Sequence, residues 1–358
     1  MPAENAAWWR RLSPERRARL LQERPAEIGS LDGLPSRVRD QANRSVLDSY
    51  LRDHEDPGSA ALKRMIGGPE GDSRDRPLLL TYRPPSAPGG TDGLVAVSYG
   101  DPDRSHYTAV HVPGTGNNLN AIPHIRFGLD NARRLREHAE APTGGRERTA
   151  AVYWLGCKMP DRIPGQATNT RYAVEGHPAL TGFVSGLAVS KQIRGQTTVT
   201  GHSYGTGVVA RAAASTRNFP ADAILFQGSP GVGDVQKAEQ LNVDPRRVFV
   251  MADKSDPVVH APRRLLGTNP KSSSFRARAL STRVRGHSEY MKHGSLALSN
   301  TVNVVIGQWD RLVEEPRLIS LYAAVAELAK LALRGPFPRN VPPLPPRRTP
   351  REPGPSLT

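Results

Sequence analysis

The segment from Gln196 to Ala214, QTTVTGHSYGTGVVARAAA, constrains this chain more than any other. Thr197 to Thr200 is a β-branched run that reads as a strand, and Val208 to Ala214 reads as a helix. Between them lies G-x-S-x-G, with Ser203 at its centre. A strand that turns directly into a helix at a serine makes a strained corner and points the hydroxyl away from the sheet. Gly201 and Gly205 flank the serine because side chains there would clash where strand and helix come close. The helix N-terminus then lies behind Ser203, where its dipole favours negative charge.

The surrounding pattern supplies a sheet for that corner. Pro77 to Tyr82 and Gly93 to Tyr99 read as an initial strand pair, joined through turn residues at Gly89-Gly90. Strands then follow at Thr108 to Val112, Thr149 to Leu155, Gln196 to Thr200, Asp222 to Phe226 and Arg247 to Met251. They alternate with helical runs at Pro123 to His138, Leu180 to Lys191, Gly207 to Ser215 and Val235 to Leu241. Such alternation predicts an α/β fold, a mostly parallel central sheet with helices on both faces. Phe275 to Leu280 alternates with period two and predicts a last, half-exposed strand, with closing helices at Ser295 to Trp309 and Leu318 to Leu333.

Before the sheet, Ser13-Pro14 starts one helix and Gly33-Leu-Pro35 precedes another, whose Val38, Ala42, Val46, Tyr50 and Leu51 share a face. These helices are expected to pack on the catalytic domain rather than cap its site. The expected organisation is an N-terminal helical extension over 1–66, a main domain over 76–334 and a Pro/Arg-rich disordered tail over 335–358. The PPLPP core of that tail offers a polyproline ligand for a protein partner, although a passive tail is the simpler reading.

An activated serine needs donors for the oxyanion it creates. The N–H of Tyr204 is one, and the loop Pro113-Gly-Thr-Gly-Asn-Asn118 at the end of an earlier strand supplies the other, with Thr115 the chosen residue. That loop lacks the Lys-[ST] of a Walker turn, and Leu119 breaks the dinucleotide-binding spacing. For the acid, Asp256 in Ala252-Asp-Lys-Ser-Asp-Pro257 lies well beyond its strand and before a turn-fixing proline; Asp253 is the reserve. For the base, His287 follows the last strand, whereas His260 follows the acid too closely and His293 lies about a helical turn further on. Together these residues predict a Ser-His-Asp hydrolase acting through an acyl-enzyme.

In this order the pieces resemble a bacterial α/β-hydrolase family of unknown function, typical of high-GC actinobacteria. The resemblance rests on WWRRLSPERRARLLQERPAEIGSLDGLP, YGDPD, VPGTGNN, GHSYGT, FQGSPGVG, SDPV and GHSEY, and extends to about Gly307. It implies the α/β-hydrolase fold and a triad of Ser203, Asp256 and His287, and it implies no substrate. The VPGTG loop is also similar to that of some fungal lipases, where the threonine donates to the oxyanion, which points again to Thr115.

Composition narrows the rest. The 358 residues suffice for one large α/β domain, while 37% hydrophobic content leaves part of the chain outside the core. With no membrane-length apolar run and no secretory signal at the start, a cytoplasmic protein is expected. Cys157 is the sole cysteine and reads as a buried, inert thiol; no metal or cofactor pattern is present in the sequence. The net charge of +15 comes without a nucleic-acid-reading motif, so nucleic acid is not an expected partner. From Pro257 through Gly286 the chain holds Arg263, Arg264, Lys271, Arg276, Arg278, Arg283 and Arg285 with no acidic residue. That segment joins acid to base, so a basic rim and an anionic ester substrate are one expectation, solvated outward faces the other. An amidase or acyltransferase on the same residues, or an interaction module on the same scaffold, are the alternatives to an esterase.

Overall fold

The structure is a computed structural model that describes residues 1–67, 76–85, 92–145, 148–163 and 165–316. Met1–Glu315 forms one compact unit and Pro316–Thr358 a second. The Gly89-Gly90 turn, the helix expected at Leu318 to Leu333 and the tail over 335–358 lie outside the described residues. In chain order the first unit carries α1 (Pro2–Arg11), α2 (Pro14–Glu23), α3 (Pro25–Ser30), α4 (Ser36–Asp53), α5 (Pro57–Gly67), β1 (Leu78–Arg83), β2 (Leu94–Tyr99) and β3 (Tyr107–Val112). Then follow α6 (Ile122–Thr143), β4 (Thr149–Leu155), α7 (Arg171–Ser190), β5 (Gln196–His202), α8 (Gly205–Ser215), β6 (Ala223–Gln227), β7 (Val248–Met251), α9 (Arg263–Leu266), β8 (Arg278–Ala279) and α10 (Leu296–Val305).

The strands form one sheet in the order β1-β2-β4-β3-β5-β6-β7-β8. β2 runs antiparallel to both β1 and β4, and every other pair is parallel. The central strands are continuous buried runs, as in TAAVYWL of β4 and AILFQ of β6, because helices cover both of their faces. α6 and α10 pack together on one face, and α7 and α8 on the other. The carboxyl ends of β3, β5, β6 and β7 share one edge, and the loops that leave them carry the residues of interest.

The N-terminal helices finish the β1 edge. Leu79 sits at an irregularity in the β1–β2 register, and its N–H and C=O are met by side chains of α4 in place of another strand. Asp40 Oδ1 accepts from Leu79 N at 2.7 Å, and Asn43 Nδ2 donates to Leu79 O at 3.1 Å. An edge covered in this way cannot template pairing with another chain. α4 has no local cap; Asp103, far along the chain, accepts from Ser36 N at 2.6 Å and Ser36 Oγ at 2.8 Å. Asp101 of the same YGDPD segment accepts from Arg37 Nε at 3.0 Å, so both acids of that segment hold the helix in place. None of residues 1–67 lines the cleft beside Ser203, so these helices are not a cap over it.

Two expected elements are corrected. Val235 to Leu241 is not a helix but turns and a short 3₁₀ segment, Ala238–Gln240, because the Gln240 side chain takes the N–H groups of Gln236 and Lys237. The strand expected over Phe275 to Leu280 shrinks to Arg278–Ala279. Phe275 ends a 3₁₀ turn and is buried, and Arg276 adopts a left-handed φ of 65°, which breaks the extended run. Cys157 is buried, and burial pushes its thiol up to about 12, in keeping with an inert role. Among the described residues, no helix is long and apolar enough to cross a membrane.

Asp40 is nearly fully buried and also receives Arg44 Nε at 2.7 Å. Asp40→Ala is expected to lower the unfolding free energy by about 1.5–3 kcal/mol, since it orphans a strand N–H and leaves the Arg44 guanidinium only its bonds to the Ile66 and Pro77 carbonyls. Urea denaturation followed by circular dichroism measures this, and a loss below about 0.5 kcal/mol would show that the edge needs no such partner.

Candidate active site

Ser203 follows β5 with φ 54°, a left-handed backbone that a non-glycine residue adopts only where its surroundings enforce it. Those surroundings are explicit. Ser203 N donates to Gln227 O at 2.9 Å, and Thr206 Oγ1 donates to Ser203 O at 2.6 Å while meeting Ser229 Oγ at 2.8 Å. A Cβ on Gly205 would stand 2.4 Å from the carbonyl oxygens of Val112 and Pro113, and one on Gly201 2.7 Å from Thr206 Cα. Glycine at both positions is therefore what lets the corner close.

Asp256 precedes the 3₁₀ turn Pro257–His260 and is fully buried. Its Oδ1 accepts from Val258 N at 2.8 Å, both its oxygens lie within 3.0 Å of His287 Nδ1, and Tyr290 Oη donates to Oδ2 at 2.8 Å. Burial pushes the carboxyl up, but the bonds from His287, Tyr290 and Val258 together outweigh it and hold Asp256 below its ordinary value. A carboxylate against Nδ1 makes that nitrogen the donor, so the neutral ring leaves Nε2 bare to take a proton. Asp253, the reserve acid, does not meet His287. Its carboxylate accepts from Thr282 Oγ1 at 2.7 Å and from Ser255 N and Oγ at 2.9 and 2.7 Å, which organises the turn.

Ser203 and His287 line one cleft of about 150 Å³. Among the described residues the Ser203 hydroxyl holds no hydrogen bond, a looseness common in sites without substrate. Thr115 lines the same cleft. Its loop is held by Gly116 N donating to Pro160 O at 2.8 Å and by Asn117 Nδ2 donating to Gly114 O at 3.0 Å. The N–H groups of Thr115 and Tyr204 have no acceptor among the described residues, and Tyr204 stands at the N-cap of α8. The Tyr204 ring is buried, with its hydroxyl donating to Asn169 O.

Three further residues escape a reading by motif. Tyr290 joins the two acidic residues, since its hydroxyl also accepts from Asp253 N at 3.1 Å. His202, inside the glycine-serine motif itself, donates through Nε2 to His287 O at 2.8 Å. Its ring lies 4.6 Å from that of His287, centroid to centroid, and 6.5 Å from that of His111, whose Nδ1 meets Thr200 Oγ1 at 2.8 Å. A tyrosine three residues after His287 and a histidine beside Ser203 were the available signals; what they reach depends on loop return. His260 is exposed and meets Lys254 O, and His293 packs edge-on against His138. None of the seven basic residues between acid and base lines the Ser203 cleft. Arg263 and Arg264 border a separate groove of about 370 Å³ beside Tyr204 and Gly207, Arg276 pairs with Glu239, and Arg278 with Glu314. Among the described residues, no His, Cys, Asp and Glu cluster is arranged to hold a metal.

Burial pushes His202 down to about 3, with His287 adding to the shift, and pushes His111 down to about 4. In the unfolded chain each takes up a proton near 6.5. Between these values the unfolded chain binds more protons, so stability is full above about pH 6.5 and falls as pH drops toward 3. Urea denaturation at a series of pH values is expected to show that decline, with a shallower slope for His202→Gln. A wild-type stability that stays flat from pH 6.5 to 4.5 would refute it.

A family model described as alpha/beta hydrolase matches residues 89–265. An uncharacterized protein of Mycobacterium tuberculosis, present in two strains, is 29% identical over 373 aligned positions, which cover 87% of this chain. The match spans 56% of that relative's length. Among solved structures, a serine hydrolase without a lid from Xanthomonas campestris is 15% identical and covers 68% of this chain and 98% of its own, with a TM-score of 0.38. A hyperthermophilic esterase from the archaeon Pyrobaculum calidifontis is 13% identical and covers 83% of this chain and 97% of its own, with a TM-score of 0.37. With an eight-stranded, mostly parallel sheet whose β2 alone opposes its neighbours on both sides, helices on both faces and a family match through the nucleophile corner, this chain has the α/β-hydrolase fold.

Proposed function

We propose that the protein is a serine hydrolase that cleaves an acyl ester through Ser203, His287 and Asp256. The observation that carries this reading is the Asp256–His287 pair: a fully buried carboxylate grips Nδ1 with both oxygens, in the cleft that also holds the strained serine. In the first step Ser203 Oγ bonds to the ester carbonyl carbon while its proton passes to His287 Nε2. The tetrahedral oxyanion draws on Tyr204 N–H and on the N–H or hydroxyl of Thr115. Its collapse breaks the carbon–oxygen bond to the alcohol, which leaves with the proton from His287. Water, deprotonated by the same nitrogen, then attacks the acyl carbon; the bond to Ser203 Oγ breaks, Oγ recovers the proton from His287, and the acid is released. Asp256 holds the ring in the required tautomer and stabilises the imidazolium throughout. A family match through the corner supports hydrolysis; the ester is our choice of substrate bond.

A fluorophosphonate probe is expected to label the wild type at Ser203 and to leave Ser203→Ala unlabelled. On a panel of aryl esters Ser203→Ala should lose about 10⁴-fold or more in kcat. Tyr290→Phe should keep the label and lose about tenfold, because one of three donors to the charged acid is gone. Labelling elsewhere, or full turnover by Ser203→Ala, would overturn the assignment.

A further inference from the structure

The cleft beside Ser203 is lined by residues of α6 and, from the strands, by a polar set: His111, His202 and Gln227 with Tyr153. Gln227 is the residue the proposed chemistry leaves unexplained. Its side chain is wholly buried, and its Oε1 has no hydrogen-bond partner. Thr301 Oγ1 donates to Ala297 O at 2.8 Å and in that arrangement accepts from Gln227 Nε2 at 2.9 Å, which turns Oε1 the other way. Met291 Sδ, at 3.7 Å from Nε2, accepts from the same side. A buried carbonyl oxygen fixed in this orientation is costly unless something donates to it.

Asn131 of α6 lines the same cleft with the opposite character. Its Oδ1 accepts from Arg134 Nη1 at 2.8 Å, which leaves Nδ2 as a donor with no acceptor among the described residues. A group that both donates and accepts satisfies the pair, and a hydroxyl is the smallest such group. The cleft's volume, about 150 Å³, falls short of the roughly 300–1,000 Å³ of sites for drug-sized ligands, which limits the acyl group to a short one.

We propose that the acyl subsite takes a short hydroxy-substituted acyl group, its hydroxyl donating to Gln227 Oε1 and accepting from Asn131 Nδ2. The proposal rests on the serine-hydrolase reading and adds the substrate class to it. The test compares kcat/KM for isosteric aryl esters in which a methyl replaces the hydroxyl: lactate against 2-methylpropanoate, and 3-hydroxybutyrate against 3-methylbutanoate. The wild type should favour the hydroxy ester of at least one pair by at least tenfold, since a site built to bond a hydroxyl discriminates strongly against its absence. Gln227→Met should abolish that ratio, and fluorophosphonate labelling shows whether the variant is folded. If it is not, Asn131→Leu, which removes the donor to the hydroxyl, takes its place with the same expected loss. A wild type that labels at Ser203 and cleaves esters without preference overturns the hydroxyl proposal alone, as does a preference that survives both substitutions. Esters left intact and Ser203 left unlabelled overturn the hydrolase reading, and this proposal with it.

Discussion

The Asp256 carboxylate is the point on which the arrangement around Ser203 depends. Burying an ionised carboxylate costs several kcal/mol unless donors replace the water it loses. Here the donors come from its own turn through Val258, from the proposed base His287 and from the interior through Tyr290. Because Tyr290 also receives Asp253 N, the loop after β7 and the segment 287–290 are joined at two points rather than one. His202 adds a third tie by holding the His287 carbonyl from the nucleophile corner. The Ser203 corner, the Asp256 turn and the His287 loop are thus coupled by polar bonds with fixed directions. Apolar packing alone would tolerate small shifts of each against the others, which such a site cannot.

That coupling needs a sheet that does not slip. The parallel strands β3, β5, β6 and β7 are buried on both faces, and β1 would otherwise leave an open edge. α4 closes it by giving Leu79 the side-chain donor and acceptor of Asn43 and Asp40. The N-terminal helices are therefore part of the same compact unit in a physical sense, although they contribute nothing to the cleft.

Much of this was legible in the residues. The corner at Ser203 could be read because strand, turn and helix each leave a local signature, and every β-branched or apolar run read as a central strand, from β3 through β7, lies within two residues of its place. Short helices such as α1, α3 and α5 could not, since their stability comes from packing on α4, α6 and α7 rather than from their own periodicity. The strand expected from the alternation of Phe275 to Leu280 failed because period two says nothing of a left-handed residue, and Arg276 takes that conformation. In the site, spacing and Pro257 favour Asp256 and keep Asp253 in reserve, but neither reaches a partner by spacing alone. Three-dimensional return of the 287–290 segment separates them, and the same return gives Tyr290 and His202 roles that no linear pattern carries.

The charge distribution bears on how such a site would work. In a chain of net charge +15, no lysine or arginine among the described residues lines the Ser203 cleft, whose four histidines include two that burial holds neutral. During acyl transfer the proposed base carries a positive charge, with the His202 ring 4.6 Å away. A second imidazolium at that distance would oppose the first by like-charge repulsion. A neutral His202 that donates to the His287 carbonyl removes the opposition and keeps the positional tie. Asp256, against His287 Nδ1 at 2.9 Å, has the sign that stabilises the imidazolium.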